Sequence, residues 1–118
     1  MIKFDFITLN QYINAERSNK FVASKIKKVK TNEIAKHFIN EVPIKDYPFD
    51  VHFIWYCKSK KSDPDNIVFQ KKFILDGMAM SGIIRNDTFK EITGFKDDFC
   101  FTNFEGVKLS LIIPTSIT

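Results

Sequence analysis

Apolar and polar residues alternate at the start of the chain, over residues 2–9. Ile2, Phe4 and Phe6 fall on one face, and the residues between them are charged. A period of two is typical of a half-buried strand. The pattern therefore predicts that the chain opens with a strand.

A stretch without internal glycine or proline follows over residues 11–40 and predicts helix. Asn10 precedes it and is predicted to cap it. Some of its apolar residues recur at spacings of four and three, which places them on one stripe: Val22, Ile26 and Val29. A break is predicted near Thr31 and Asn32, because both side chains compete for backbone hydrogen bonds.

The strongest strand pattern covers residues 49–58. One face carries every second residue: Phe49, Val51, Phe53, Trp55 and Cys57. After a basic loop, Asp63 and Pro64 fit the cap and first position of a second helix. We expect that helix to run to about Ser81 and to end near Gly82.

Two last strands are predicted at residues 91–101 and 107–113, after a connector that carries Asp87. The predicted order is β-α-β-α-β-β, an α+β fold with helices packed on a mixed sheet. A length of 118 residues agrees with one domain over residues 1–118.

Composition adds a division of charge between the two halves of the chain. The whole carries 18 basic and 14 acidic residues, a net charge of +4. Residues 1–61 hold 12 basic and 6 acidic residues, and residues 62–118 hold 6 and 8. These numbers exclude an acidic disordered tail and favour a partner that is a polyanion.

The sequence also indicates the compartment. No apolar run reaches the roughly 18 residues of a membrane span, and the first residues turn polar too early for a signal peptide. We expect a cytoplasmic protein with no membrane partner, in the bacterial host cytoplasm if the chain is phage-encoded. Cys57 and Cys100 are expected to be buried, reduced thiols. His37 and His52 lack the spacing of zinc ligands.

Four residues carry the candidate chemistry of the chain: Asp63, Asp65, Asp87 and Lys72. Asp63 and Asp65 begin the second predicted helix, where carboxylates also cap backbone N–H groups, so a purely structural role is the alternative. In a continuous helix, Lys72 and Asp76 would lie about two and three turns beyond Asp65, on one polar stripe. Lys72 and Asp76 could also simply pair with each other at i,i+4.

These residue types suit a hard divalent cation. Mg²⁺ takes one or two carboxylates, keeps waters and meets phosphate oxygens. A nearby lysine stabilises charge that develops on a phosphate, and the metal activates water. The set therefore points to phosphodiester hydrolysis.

Three short motifs follow one another in the second half of the chain. They are D-x-D-N at residues 63–66, K-F-I-L-D-G at residues 72–77 and G-I-I-x-N-D at residues 82–87. Their order resembles the RusA family of Holliday junction resolvases. L-N-x-Y-I-N-A-E-R-x-N-K at residues 9–20 and A-S-K-I-K-K at residues 23–28 are similar to the phage-borne branch of that family.

The resemblance, which covers most of the chain, implies a homodimeric crossover junction endodeoxyribonuclease. Such an enzyme cuts four-way and branched DNA in recombination, repair or phage DNA processing, and needs Mg²⁺, with Mn²⁺ as a substitute. The resemblance implies that Asp63, Asp65 and Asp87 are catalytic and bind the metal, and that Lys72 is the catalytic lysine.

The match departs from the family pattern at two places. The spacing from Asn66 to Lys72 is longer than in the best-known enterobacterial type. Lys71 is therefore an alternative candidate for the catalytic lysine. We favour Lys72 because it precedes Asp76, which matches a further family aspartate, by four residues. Asn86 stands where the family often has Asp, and it could ligate through its carbonyl or cap a turn.

Basic residues crowd the first predicted helix and the loop before Asp63. The candidate DNA-binding residues are Arg17, Lys20, Lys25, Lys27, Lys28, Lys58, Lys60 and Lys61. Phosphate contacts by such residues gain from counterion release, although a lysine run is also typical of a solvated helix face. A non-catalytic DNA-binding phage regulatory module is therefore the alternative function. A phosphatase or nucleotide hydrolase ranks lower, because the chain has no Gly-rich phosphate loop.

Overall fold

The described residues form four helices and four strands, in the predicted α+β arrangement. A computed structural model describes residues 2–3 and 5–113. The strands are β1 (Ile2–Lys3), β2 (Phe49–Cys57), β3 (Ile92–Phe101) and β4 (Gly106–Ile112). The helices are α1 (Leu9–Ser18), α2 (Lys20–Phe38), α3 (Pro64–Val68) and α4 (Lys71–Ser81).

The strands form one mixed sheet in the order β1-β4-β2-β3. Strand β2 runs parallel to β3 and antiparallel to β4, and β1 is antiparallel to β4. Trp55 on β2 lies opposite Phe99 on one side and Val107 on the other. The two last predicted strands are therefore confirmed, and they flank β2 instead of pairing with each other.

One face of β2 forms the centre of the hydrophobic core. Its five alternating apolar residues are each at most 2% exposed, as the pattern predicts. The Phe53 and Trp55 rings stack with centroids 5.2 Å apart. Ile34 of α2 and Ile74 and Met78 of α4 belong to the same buried cluster. The helices therefore cover this face, whereas the opposite face of β2 remains partly exposed.

The start of the chain differs from the prediction. Strand β1 covers only residues 2–3, residues 5–8 form no strand, and Phe4 lies outside the described residues. Helix α1 is capped by Thr8 and not by Asn10. The Thr8 hydroxyl accepts from the Gln11 N–H, and the Gln11 side chain accepts from the Thr8 N–H at 2.9 Å. This capping box satisfies two backbone donors at once.

The first helical region divides at Asn19, so the predicted break near Thr31 and Asn32 is wrong. Asn19 has an extended backbone, and its side chain accepts from the Phe21 N–H at 2.9 Å. An Asn side chain that caps a new helix makes this interruption favourable. Thr31 is instead buried inside α2.

The predicted apolar stripe of α2 does not face the core. Val22 and Val29 are 46% and 52% exposed, whereas α2 buries Ala23, Thr31 and Ile34. The cause is a close crossing with α4 at Gly77. A Cβ atom added there would lie 2.7 Å from Cβ of Ile34 and 2.9 Å from the Thr31 carbonyl oxygen. Only a residue without a side chain permits this approach, and the approach selects which face of α2 is covered.

The second predicted helix is two helices, α3 and α4, separated by Phe69 and Gln70. Its predicted ends are confirmed: Asp63 is the N-cap residue, Pro64 is first, and Gly82 ends α4 with φ +82°. Gly82 adopts the left-handed conformation that glycine enters without steric cost.

The two cysteines lie on opposite faces of the sheet and are both unpaired thiols. Cys57 is buried as expected, but Cys100 is exposed, so the expected burial of Cys100 is wrong. Burial raises the pKa of the Cys57 thiol, which keeps it protonated and unreactive near neutral pH. In the described part of the chain, no helix has the length and apolar content that a bilayer span requires.

The α2–α4 crossing predicts the effect of Gly77→Ala. Alanine favours a helix interior by about 1 kcal/mol over glycine, but its methyl group would overlap Ile34. Overpacking costs about 1–3 kcal/mol, so we expect a lower melting temperature. Thermal unfolding followed by circular dichroism measures it, with Met80→Ala at an exposed position of α4 as the control. A Gly77→Ala protein more stable than the wild type would contradict the close crossing.

Candidate functional site

Asp63 and Asp65 lie at the start of α3, at the end of the sheet where β2 finishes. Both side chains are exposed. Asp63 occupies the N-cap position, but its carboxylate makes no capping hydrogen bond. Asp65 accepts from the Asn66 N–H at 3.0 Å, and the Asn66 side-chain oxygen accepts from the Asn10 N–H at 3.3 Å. The capping alternative therefore receives no support from the Asp63 side chain.

Gln70 fixes the position of α3 against the start of the chain. Its side chain is fully buried, accepts from the Ile7 N–H at 3.1 Å and donates to the carbonyl oxygens of Ile7 and Asn66. Buried polar groups are stabilising when they are satisfied in this way. Gln70 was not among the predicted site residues; its only signal in the sequence was an uncharged polar residue directly after the apolar run at residues 67–69.

Asp87 lies on the connector between α4 and β3, and Glu91 holds that connector in place. The Glu91 carboxylate accepts from Arg85 Nε at 2.7 Å and from Thr88 Oγ1 at 2.5 Å. The Asn86 side-chain oxygen accepts from the Asp87 N–H at 2.9 Å, which fits the turn-capping role considered for Asn86. Glu91 is buried. The sequence around it is typical of a polar loop, so it did not indicate this burial.

Asp87 and Asp76 line the same groove. This groove runs along α2 and is called here the basic groove; Ser24, Lys27, Lys28, Thr31, Asp76, Ala79, Met80, Asn86 and Asp87 line it. A separate neighbouring pocket shares Ser24 and is lined by Arg17 and Lys20 together with Tyr12, Glu16 and Ala23. The Lys27 ammonium lies 3.9 Å from the Asp76 carboxylate. Two of the eight predicted DNA-binding residues, Lys27 and Lys28, therefore line the same groove as Asp76, Asn86 and Asp87.

The other six predicted DNA-binding residues lie elsewhere, and two of them, Arg17 and Lys20, line the neighbouring pocket. Lys25 is on another side of α2, beside Val22 and Val29. Lys58, Lys60 and Lys61 occupy the exposed loop after β2, as predicted, and the Lys60 ammonium lies 5.1 Å from the Phe101 ring centroid. These three lysines are next to Asp63 in the sequence and not in the basic groove.

The three predicted metal ligands do not gather around one point in a single chain. Because β2 and β3 are parallel, the loop leading to Asp63 leaves one end of the pair and Asp87 precedes β3 at the other. Nine residues of β2 pair with β3, and the length of this paired segment, which separates the two ends, is roughly 30 Å. Within residues 2–3 and 5–113, no group of three or more His, Cys, Asp or Glu side chains could hold a metal ion.

Two pairs of carboxylates nevertheless suit Mg²⁺, which needs only one or two when waters and phosphate oxygens complete its shell. Asp63 and Asp65 stand two residues apart on α3, and Asp76 and Asp87 line the basic groove. The donor chemistry at both places therefore fits the ion that the sequence predicts.

The two lysines at the start of α4 have different environments. The Lys71 ammonium donates to the Asp97 carboxylate at 2.7 Å and lies 4.3 Å from the Phe95 ring centroid. Asp97 also accepts from the Trp55 indole N–H at 2.9 Å. Lys72 is exposed and, in the described part of the chain, makes no ion pair. Lys72, and not Lys71, is therefore available to a ligand.

The break between α3 and α4 changes the expected stripe. Residues 65, 72 and 76 do not follow one continuous helix, so the turn count that aligned them does not apply. Asp76 faces Lys27 instead of pairing with Lys72. The nearness of Asp76 to α2 could not be read from the sequence of α4.

Tyr12 lies in the neighbouring pocket beside Arg17 and Lys20, and the sequence did not indicate it as a site residue. Its ring packs against Phe69 and Phe73, with centroids 5.4 and 6.2 Å away. Burial and the Glu16 carboxylate raise the pKa of the Tyr12 phenol, so Tyr12 stays a neutral donor at physiological pH.

Comparison with known proteins adds no relative: no protein-family model, curated protein or solved structure matches this chain.

The two lysines of α4 can be separated by mutation. Lys71→Ala leaves the partly buried Asp97 carboxylate without its cation, which costs about 1–3 kcal/mol, so we expect a clearly lower melting temperature. Lys72→Ala removes an exposed side chain and should change stability by no more than about 0.5 kcal/mol. Chemical denaturation of both variants tests this, and equal losses would contradict the assignment.

The connector around Asp87 predicts a pH dependence. Hydrogen bonds from Thr88 and Arg85 lower the pKa of Glu91 below its usual value. The stability from these bonds is therefore complete above the pKa of an unfolded glutamate, about 4.3, and is lost as pH falls through the lower folded-state pKa.

We expect the melting temperature of Glu91→Gln to lie below that of the wild type at pH 7, with the gap narrowing as pH falls to about 3. Glu41→Gln, at an exposed position, is the matched control. A gap that stays constant across this range would contradict the ionised role of Glu91.

Proposed function

We propose that this protein is a Mg²⁺-dependent endonuclease that cuts four-way and branched DNA. The observation that carries the proposal is the basic groove, in which Lys27, Lys28, Asp76 and Asp87 line one surface. A site for phosphodiester hydrolysis needs cations for the DNA backbone beside carboxylates for a metal. The motif order that resembles the RusA family supports the same activity independently.

The residues of this chain divide the work by their chemistry. Lys27 and Lys28 of the basic groove contact phosphates and position the duplex arms, and Arg17 and Lys20 supply further phosphate contacts from the neighbouring pocket. The resemblance assigns the metal to Asp63, Asp65 and Asp87, and Asp76 adds a carboxylate beside Asp87. Mg²⁺, when bound, would lower the pKa of an attacking water and neutralise the negative charge on the leaving oxygen. Lys72 is exposed and forms no ion pair within the described residues, so its ammonium can stabilise charge on the phosphate.

The proposal includes a homodimer acting in the cytoplasm, of a bacterial host if the chain is phage-encoded. A four-way junction has near two-fold symmetry, which two symmetry-related subunits match. The two unpaired thiols, of which Cys100 is exposed, suit a reducing compartment.

A non-catalytic DNA-binding module remains the second candidate. It is favoured by the placement of Asp63 and Asp87 at opposite ends of the β2–β3 pair within one chain. In that case the basic groove would bind DNA, and the aspartates would affect only stability.

Junction cleavage separates the two candidates. The wild type with Mg²⁺ should cut a synthetic four-way junction near its centre. Asp65→Asn should keep junction binding in a gel-shift assay and lose at least about 100-fold in cleavage rate, because a metal ligand is lost. Asp46→Asn, an exposed carboxylate in the loop before β2, is the matched control and should cut normally. Wild type that binds junctions but never cuts with Mg²⁺ or Mn²⁺ would overturn the nuclease.

A further inference from the structure

Strand β3 leaves one edge of the sheet open. Among the described strands, β3 pairs only with β2, and it is ten residues long. The outer edge of such a strand presents backbone N–H and C=O groups without strand partners. Long open edges are templates for pairing with another strand, and proteins usually shorten, twist or cover them.

Phenylalanine side chains border this open edge. Phe95, Phe99 and Phe101 are 50%, 36% and 51% exposed. Their register opposite Val51, Trp55 and Cys57 places them on the face that the helices cover. They therefore extend the hydrophobic core to the border of the sheet, where no further strand of the described chain covers them.

We propose that β3 pairs antiparallel with β3 of a second copy of this chain, about a two-fold axis that passes through Asp97. The two four-stranded sheets would then form one continuous sheet of eight strands. The pairing covers residues 94–100, which is the regular part of β3 beyond the irregularity that shifts the β2–β3 register after Phe49.

The sequence of β3 is self-complementary in this register. Lys96 lies opposite Asp98 of the partner subunit, and Phe95 lies opposite Phe99 of the partner subunit, each pair occurring twice. Opposite charges and aromatic pairs directly across antiparallel strands are stabilising. Within its own subunit, one oxygen of the Asp98 carboxylate also lies 2.6 Å from His52 Nε2 and 4.0 Å from the Lys96 ammonium, so the pairs across the axis add to these contacts. Moving the axis by one residue would place either Lys96 opposite the partner's Lys96 or Asp98 opposite the partner's Asp98. Charge therefore selects the axis at Asp97 over its two neighbours.

Asp97 itself does not oppose the pairing. An inward-pointing charge on an edge strand commonly prevents association. Here the Asp97 carboxylate is held within its own subunit by Lys71 at 2.7 Å and Trp55 at 2.9 Å. Two Asp97 residues at the axis are therefore each neutralised by their own lysine.

Self-complementarity identifies the occupant as a second copy of this chain. A two-fold interface places the same strand on both sides, so one sequence must satisfy itself. A foreign peptide that adds to a sheet edge needs no such symmetry. The inference concerns the interface of the proposed homodimer, and it is tested without DNA or metal, so its failure and a failure of the nuclease are distinguishable.

Molar mass in solution gives the first test. Light scattering after size exclusion should give a dimer for the wild type at micromolar concentration. Lys96→Asp and Asp98→Lys should each raise the dimer Kd about ten-fold or more, because two attractive pairs become repulsive. The double variant K96D/D98K should restore the dimer. Lys108→Asp, an exposed charge reversal on β4 away from the edge, is the control.

A disulfide cross-link tests the register. Gly94 lies opposite Cys100 of the partner subunit, so Gly94→Cys should form a covalent dimer on air oxidation that dithiothreitol reverses. The same variant with Cys100→Ser should not. A cross-link from Lys96→Cys to Cys100 instead would overturn the axis at Asp97. A wild type that stays monomeric at about 100 µM, or a dimer that all these changes leave intact, would overturn the interface.

Discussion

Burial of one face of β2 is the constraint on which the rest of the structure depends. Five alternating apolar side chains, two of them stacked aromatic rings, must leave water together. Burying aromatic side chains of this size supplies much of the driving force in a small domain. A strand that is covered by helices and paired on both sides fixes where β3 and β4 lie. The neighbouring strands and the helices over this face therefore take their positions from this one strand.

Two specific contacts hold the helices in place over that face. Gly77 lets α4 approach α2 closely enough to bury Ile34 and Thr31. The Lys71–Asp97 ion pair, with Trp55 as a second donor, ties the start of α4 to β3. A partly buried ion pair needs such additional hydrogen bonds to offset the desolvation of its charges. These contacts leave Lys72 facing outward and bring Asp76 towards Lys27 of α2.

The parallel pairing of β2 with β3 has consequences at both ends of the sheet. It separates the start of α3 from the connector that carries Asp87, so one chain presents carboxylates at two places. It also leaves β3 at the border of the sheet with its aromatic residues half exposed. The candidate chemistry and the open edge are therefore both results of strand order, and neither depends on the local preferences of the residues involved.

Local patterns were enough to determine much of this protein. Period-two alternation predicted β2 and its buried face, and Asp63, Pro64 and Gly82 predicted where the second helical region begins and ends. Such signals depend on neighbouring residues only. The break at Asn19 and the capping box at Thr8 are also local, but several polar residues nearby could equally have served as caps.

Tertiary structure alone decided which face of α2 is buried, because that choice depends on a glycine more than forty residues away in the sequence. It decided that Lys71 is held by Asp97 and Lys72 is not, and that the buried Gln70 side chain bonds the backbone of Ile7. It also placed Asp76 and Asp87 in one groove and Asp63 away from them. Each of these results requires two distant segments to meet, and a sequence pattern records only what lies within a few residues of itself.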